Sequence, residues 1–170
     1  EEISDFYSKP VIFTIKPLAA YPVGDMKSIY SSGYGASMSF SAFDYLFDSS
    51  IISVEGGFIR WSGNLDTIDY MNMFPAVLKF GYRFFITEEL SVSATAGGGS
   101  VYMSTAYTNA SFQKTTKSTF EPVFNGTLYL DYSLTENLSV SAGGGYYSIY
   151  EESSMKNFGE AFLSISYRIF

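Results

Sequence analysis

The chain has 170 residues, 46% of them apolar, 19% aromatic and only 16% charged, with a formal net charge of −7. This composition excludes a disordered chain, and the lack of any basic cluster excludes nucleic-acid binding. Cysteine and histidine are both absent, which removes disulfides, thiolate and imidazole metal sites, a lipidated N-terminal cysteine and Ser-His-Asp catalysis.

No apolar run approaches the roughly 18 residues of a membrane helix, and mean hydropathy is +0.08. Any membrane contact must therefore come from alternation, and the period along the chain is two. In VIFTIKPLAAY (11–21), Val11, Phe13, Ile15, Ala19 and Tyr21 oppose Thr14 and Lys16. GYGASMSFSA (33–42) sets Tyr34, Ala36, Met38 and Phe40 against Gly and Ser. IISVEGGF (51–58) sets Ile52, Val54 and Phe58 against Ser53, Glu55 and Gly57. AVLKFGYRFF (76–85) sets Leu78, Phe80, Tyr82 and Phe84 against Lys79, Gly81 and Arg83. A fifth strand begins near Leu90. The sixth is FNGTLYLDYSL (124–134), where Leu128, Leu130 and Tyr132 oppose Asn125, Thr127, Asp131 and Ser133. A seventh begins near Leu138, and AFLSISYRIF (161–170) closes the chain.

The connections alternate in length. FDSS, TEE and TEN are tight turns, whereas the links near 22–32, 63–73, 104–119 and 151–157 read as longer polar loops. TEELSVSATAGGG (87–99) returns as TENLSVSAGGG (135–145), so the hairpins look like copies of one unit that differ in loop length. The expected fold is all-β: an antiparallel up-and-down barrel of eight strands, with residues 1–9 as a lead and 10–170 as the barrel.

A soluble carrier barrel would turn the Leu, Val and Phe face inward, and a membrane barrel turns it outward. Three features favour the membrane form. Lys16, Glu55, Lys79, Arg83, Asp131 and Glu160 share the Ser/Gly parity, where with Arg168 they can neutralise one another in a narrow lumen. The opposite face is almost free of charge over about ten residues per strand, enough to cross a bilayer when tilted. Aromatic residues gather at strand ends (Tyr21, Tyr34, Trp61, Tyr82, Phe84, Tyr132, Tyr146, Tyr167), as interfacial girdles do.

On this architecture and the terminal aromatic SYRIF, the chain from about residue 10 to 170 resembles the small eight-stranded outer-membrane barrels of Gram-negative-type bacteria, of the OmpA, OmpX and OmpW kind. The resemblance implies short periplasmic turns, longer extracellular loops, and outer-membrane lipid and the barrel-assembly machinery as partners. Tyr167 and Phe170 would form the assembly signal, although Phe170 is out of phase with Tyr167 and Ile169. The opening EEISDFYSK has no basic-then-apolar stretch, so an exported chain would be in its mature form.

Eight strands leave an interior only wide enough for side chains. Phe85, Tyr129, Phe158 and Phe162 lie on the Ser/Gly parity, and small residues opposite them suggest a plugged lumen. Other chemistry is sparse. SSMK (153–156) matches S-x-x-K without companion motifs, the glycine runs lack a following Lys-Ser/Thr, and Glu88-Glu89 and Glu151-Glu152 read as solvated pairs. No cofactor and no enzyme activity are expected. Pro17 sits mid-strand on the outward parity, either as a bulge or, as in OmpW-like relatives, beside a lateral opening. The stretch STAYTNASFQKTTKST (104–119) offers Tyr107, Phe112, Lys114 and Lys117 for surface contacts. Two functions follow: a non-catalytic anchor whose loops contact an extracellular or envelope protein, or a narrow channel for small apolar or ionic solutes.

Overall fold

The computed structural model describes residues 9–65, 67–108, 113–151 and 154–169. The strands are β1 (Val11–Val23), β2 (Tyr30–Phe43), β3 (Ser50–Gly63), β4 (Ile68–Phe85), β5 (Leu90–Thr108), β6 (Lys114–Ser133), β7 (Leu138–Glu151) and β8 (Ser154–Arg168), with a one-turn helix α1 (Met26–Ile29) after β1. Each pairs antiparallel with the next, and β1 pairs with β8, so the sheet closes on itself without an edge through its body.

The alternation places the faces as expected. Ser41, Ser53, Ser93, Thr127, Ser141 and Ser164 are buried inside, while Ile15, Met38, Phe40, Val54, Leu78, Phe80, Leu128 and Leu163 are exposed outside. A surface so apolar is not one that water solvates well.

The tight turns at one end share a mechanism. Thr87 Oγ1 accepts hydrogen bonds from the backbone N–H groups of Glu89 and Leu90 at 3.3 and 3.0 Å. Thr135 Oγ1 does the same for Asn137 and Leu138 at 3.3 and 3.1 Å. A threonine hydroxyl that satisfies two turn donors explains why TEEL and TENL recur at corresponding places. In the first turn Asp44 takes a left-handed φ of 62°, and its carboxylate accepts the Ser49 N–H at 2.6 Å. Both described chain ends lie here: Lys9 Nζ donates to Asp44 O at 2.6 Å, and the Arg168 N–H to Asn137 O at 2.8 Å.

The far end differs from expectation. The segments read as long loops are largely strand, since β5 continues to Thr108, β6 begins at Lys114, and β7 and β8 pair up to Glu151↔Ser154. Strands run from 13 to 20 residues, so they extend well past what a bilayer requires. Alternation alone misses the β5–β6 extension because both of its faces carry Ser, Thr and Lys.

Pro17 makes no bulge. The β1–β8 ladder is interrupted between Ile15↔Ile165 and Leu18↔Phe162 without a change of register, while Pro17↔Ala36 keeps β1 joined to β2. The missing proline N–H thus loosens one seam by two residue pairs and leaves the barrel closed.

Candidate functional site

The lumen is layered. At its centre Glu55 of β3 accepts hydrogen bonds from Lys16 of β1 at Oε1 and from Lys79 of β4 at Oε2, each at 2.8 Å. Lys16 also bonds Glu160 of β8 at 3.0 Å and lies 4.6 Å from the centre of the Phe162 ring. Lys79 reaches Thr127 Oγ1 at 3.4 Å. Two cations and two anions, all buried, therefore neutralise one another across four strands. Pairs this buried persist only with matched geometry, because each charge has lost most of its hydration.

The six charges placed on the inner face do not form one network. Asp131 belongs to a separate group, accepting from Ser93 at 2.9 Å and from Ser141. Arg83 lies with its guanidinium 3.9 Å from the Phe43 ring centre, and its buried Nε has no acceptor among the described residues. Arg168 is exposed at the tight-turn rim. Parity assigned the face correctly, but the level along the barrel separates Arg83 and Asp131 from the other four. These two line a hydroxyl-rich vestibule with Thr14, Ser41, Ser53 and Ser166, a cavity of about 60 Å³ that Lys16, Glu55 and Lys79 of the charge layer also line.

Beyond the charge layer the long-strand half is filled with apolar side chains. Tyr147 and Phe158 stack with centroids 4.6 Å apart at 6°, and Trp61 meets Phe158 edge-on at 5.2 Å. The Trp61 indole N–H points to Met73 Sδ at 2.8 Å. Met71, Met103, Val101 and Ile149 complete the packing, and Met26 of α1 belongs to the same cluster. Tyr147 ties the two layers together by donating to Glu55 Oε1 at 3.4 Å.

Two aromatic placements therefore change. Trp61 is 0% exposed inside the lumen rather than in an outer girdle. Its odd number puts it on the Glu55 face, a sign that its place near a strand end obscures. Phe85, on the inward parity, is 63% exposed at the tight-turn rim and fills nothing. Phe158 and Phe162 are buried as lumen fillers, and Tyr129 packs against the same cluster. Glycine makes room for Tyr129 and for the charge layer: a Cβ on Gly143 would fall 2.4 Å from Tyr129 Cβ, and one on Gly145 would fall 2.8 Å from Glu160 Oε1. At Gly97 and Gly99 a Cβ would instead meet the β4 backbone, 2.0 Å from Leu78 O and 1.9 Å from Ala76 O.

Outside, aromatic rings form two tiers. One holds Phe13, Phe40, Phe47, Tyr82 and Phe84, with Phe47–Tyr82 at 6.2 Å and Tyr82–Phe84 at 4.6 Å. The other runs across Phe58, Phe74 and Tyr102, spaced 5.2 and 6.1 Å, to Phe124 and Tyr150. Phe13 and Tyr21, Phe74 and Tyr82, and Phe124 and Tyr132 are each eight residues apart on one strand. At about 3.3 Å per residue and a tilt near 40°, that is roughly 20 Å between ring levels, close to the apolar height of membrane barrels.

The surface-contact residues sit on strands rather than in a loop. Tyr107 pairs with Thr115, Thr105 with Lys117, and Thr108 with Lys114. Lys114 lies 3.6 Å from Asp69, and Lys156 pairs with Glu151 nearby. Tyr167 is exposed on the outer face, while Phe112 and Phe170 lie outside the described residues. Among the described residues no group of His, Cys, Asp and Glu has a metal-binding arrangement.

No protein-family model and no curated protein matches the sequence. The fold does match solved structures. The crystal structure of Neisserial surface protein A aligns with a TM-score of 0.69 at 12% identity, covering 94% of this chain and 97% of that one. A major outer membrane protein from Thermus thermophilus aligns at 0.64 and 15% identity, covering 94% and 99%. Ail, the attachment invasion locus protein of Yersinia pestis, aligns at 0.56 and 13% identity, covering 95% and 97%. The architecture is that of a small eight-stranded outer-membrane β-barrel.

Proposed function

We propose that the chain is a non-catalytic barrel of a bacterial outer membrane, an anchor that holds its long-strand end outside the cell for contact with other molecules. The two aromatic tiers and the apolar exterior between them fit lipid, and the tight turns with both described chain ends face the periplasm. The observation that carries the anchor reading over a channel is the filled lumen: Trp61, Phe158, Met71 and Met73 are each 0% exposed above a neutralised charge layer. Eight strands leave no second path. Attachment or invasion, the words in the name of Ail, is a reading in keeping with a displayed strand extension. The outward Tyr167 is assigned to recognition by the barrel-assembly machinery.

The test joins two measurements on the refolded chain. Electrophoresis of boiled and unboiled samples should show a compact form that survives detergent without heating, and planar bilayers should show no unitary current. A single migration form removes the membrane barrel, and steady current removes the anchor in favour of the channel.

A further inference from the structure

Two cavities meet in the half of the lumen nearest the tight turns. One, of about 60 Å³, reaches the charge layer. The other, of about 490 Å³, lies among the turns at the mouth. Ile12, Phe43, Arg83, Asp131 and Ser139 line both and so form the neck between them. Each of the two charges in this neck is half provided for. The Arg83 guanidinium is held by rings, 3.9 Å from the Phe43 centre and 5.8 Å from the Phe85 centre, yet its buried Nε meets no acceptor among the described residues. Asp131 is buried and accepts from Ser93 and Ser141, which carry no charge. Arg83 and Asp131 line the same cavities but form no ion pair with each other, so a gap separates opposite charges.

We infer that this neck binds a small zwitterion, a molecule with one carboxylate and one ammonium such as an amino acid or a short peptide. The carboxylate takes the N–H edge of Arg83, a planar fork that matches it, while the rings cover the guanidinium faces. A buried donor left without an acceptor is costly, and the ligand recovers that cost. The ammonium takes the oxygens of Asp131, whose lone pairs two serines do not exhaust. This site is at the opposite end from the surface proposed above for contacts, and only its periplasmic address rests on the orientation given there.

The surrounding charges choose a zwitterion over a plain ion. The turns and chain ends at the mouth carry Asp44, Asp48, Glu88, Glu89 and Glu136 against Lys9 and Arg168. Of these, Asp44, Glu88, Glu89, Glu136 and Arg168 line the mouth cavity itself. The excess of acid opposes a simple anion on its way to Arg83. A simple cation meets the reverse difficulty in the neck, where it can satisfy Asp131 but leaves the guanidinium without an acceptor. A zwitterion carries no net charge past the rim and gives each neck charge its counterpart. The floor takes no part, since Lys16, Glu55 and Lys79 already pair with one another.

The test uses the whole chain refolded in lipid nanodiscs and four compounds, glycylglycine, acetate, methylammonium and inorganic phosphate, each at up to ~10 mM. Backbone amide shifts are read by NMR residue by residue. Glycylglycine should bind with a Kd of about 1 mM or below and move the amides of 82–84, 130–132 and 138–140, leaving those of 59–61 beyond the charge layer in place. Acetate, methylammonium and phosphate should each bind about tenfold more weakly or worse. Arg83→Gln and Asp131→Asn should each weaken glycylglycine by a similar factor, and Arg83→Lys, which keeps the charge but not the fork, should fall between. No movement of the neck amides, acetate or phosphate binding as well as glycylglycine, or binding that survives both Arg83→Gln and Asp131→Asn would overturn the inference. A chain that lacks the compact form resisting detergent in the cold would overturn the barrel reading together with it.

Discussion

Gly33 of β2 and Trp61 of β3 are cross-strand partners on the inner face, and the glycine leaves the space that the indole fills. A Cβ at Gly33 would lie 2.8 Å from Trp61 Cδ2. The indole is fully buried against Phe158 and Met73, so it cannot retreat cheaply. Gly33→Ala is expected to cost about 1–3 kcal/mol by overpacking, and Trp61→Ala about 3–5 kcal/mol by leaving a cavity. Because one side chain relieves the other's clash, the double variant should cost less than the sum. Urea unfolding in detergent micelles checks this; strictly additive costs would show that the two do not touch.

The charge layer makes a graded prediction. Glu55 serves two lysines and Glu160 serves one. Glu55→Gln leaves Lys79 without a carboxylate and weakens the hold on Lys16, so it should cost about 3–5 kcal/mol, the range for removing one partner of a buried pair. Glu160→Gln should cost clearly less, because Lys16 retains Glu55. The ranking is read from unfolding midpoints at constant slope. Equal losses, or no loss at Glu55, would mean that water screens the layer.

How far the sequence foretold this lumen follows from what each kind of signal carries. Alternation tells which face a residue is on, so Val54 outside and Glu55 inside are readable from position alone, and TEEL and TENL mark where β5 and β7 begin. Alternation does not tell the height of a residue in the barrel, which depends on register between strands. Arg83 and Asp131 therefore look like members of the Lys16 group although they lie in the vestibule. The pattern also fades where both faces share a character. Above the charge layer the lumen is as apolar as the outside, which hid the role of Trp61, Met71 and Met73. Beyond the aromatic tiers both faces are polar, which made the β5–β6 extension resemble a loop.

The outer face predicts a polarity-sensitive surface. Leu128 lies midway between Phe124 and Tyr132 on β6, and Leu128 and Leu163 are 60% and 66% exposed. If lipid surrounds them, Leu128→Arg and Leu163→Arg should each cost roughly 2–4 kcal/mol. Arg at Ser139, which lines the vestibule, should act by crowding and should not depend on bilayer thickness. Refolding into bilayers of two thicknesses separates the effects. Equal tolerance of Arg at all three sites would remove the assignment of faces.

The plug and the charge layer are two closures in series, and this makes a prediction about current that neither makes alone. Trp61→Ala with Phe158→Ala removes two of the three largest buried side chains of the upper half, yet Lys16, Glu55, Lys79 and Glu160 still span the barrel below it. Lys16→Ser with Glu160→Ser thins that layer while keeping it neutral, since one cation and one anion leave together and Glu55 remains paired with Lys79 at 2.8 Å. A balanced removal of this kind avoids the stranded charge that makes a single substitution costly. Each pair of substitutions alone should leave planar bilayers silent, because an ion must still cross either a dry apolar section or a tightly bonded charge layer. The four together should admit water from end to end and produce small unitary currents. Each variant is first checked for the compact form that resists detergent in the cold, so that silence reports closure rather than failure to fold. Current from either pair alone would show that only one layer closes the barrel, and current from the unaltered chain would show that neither does.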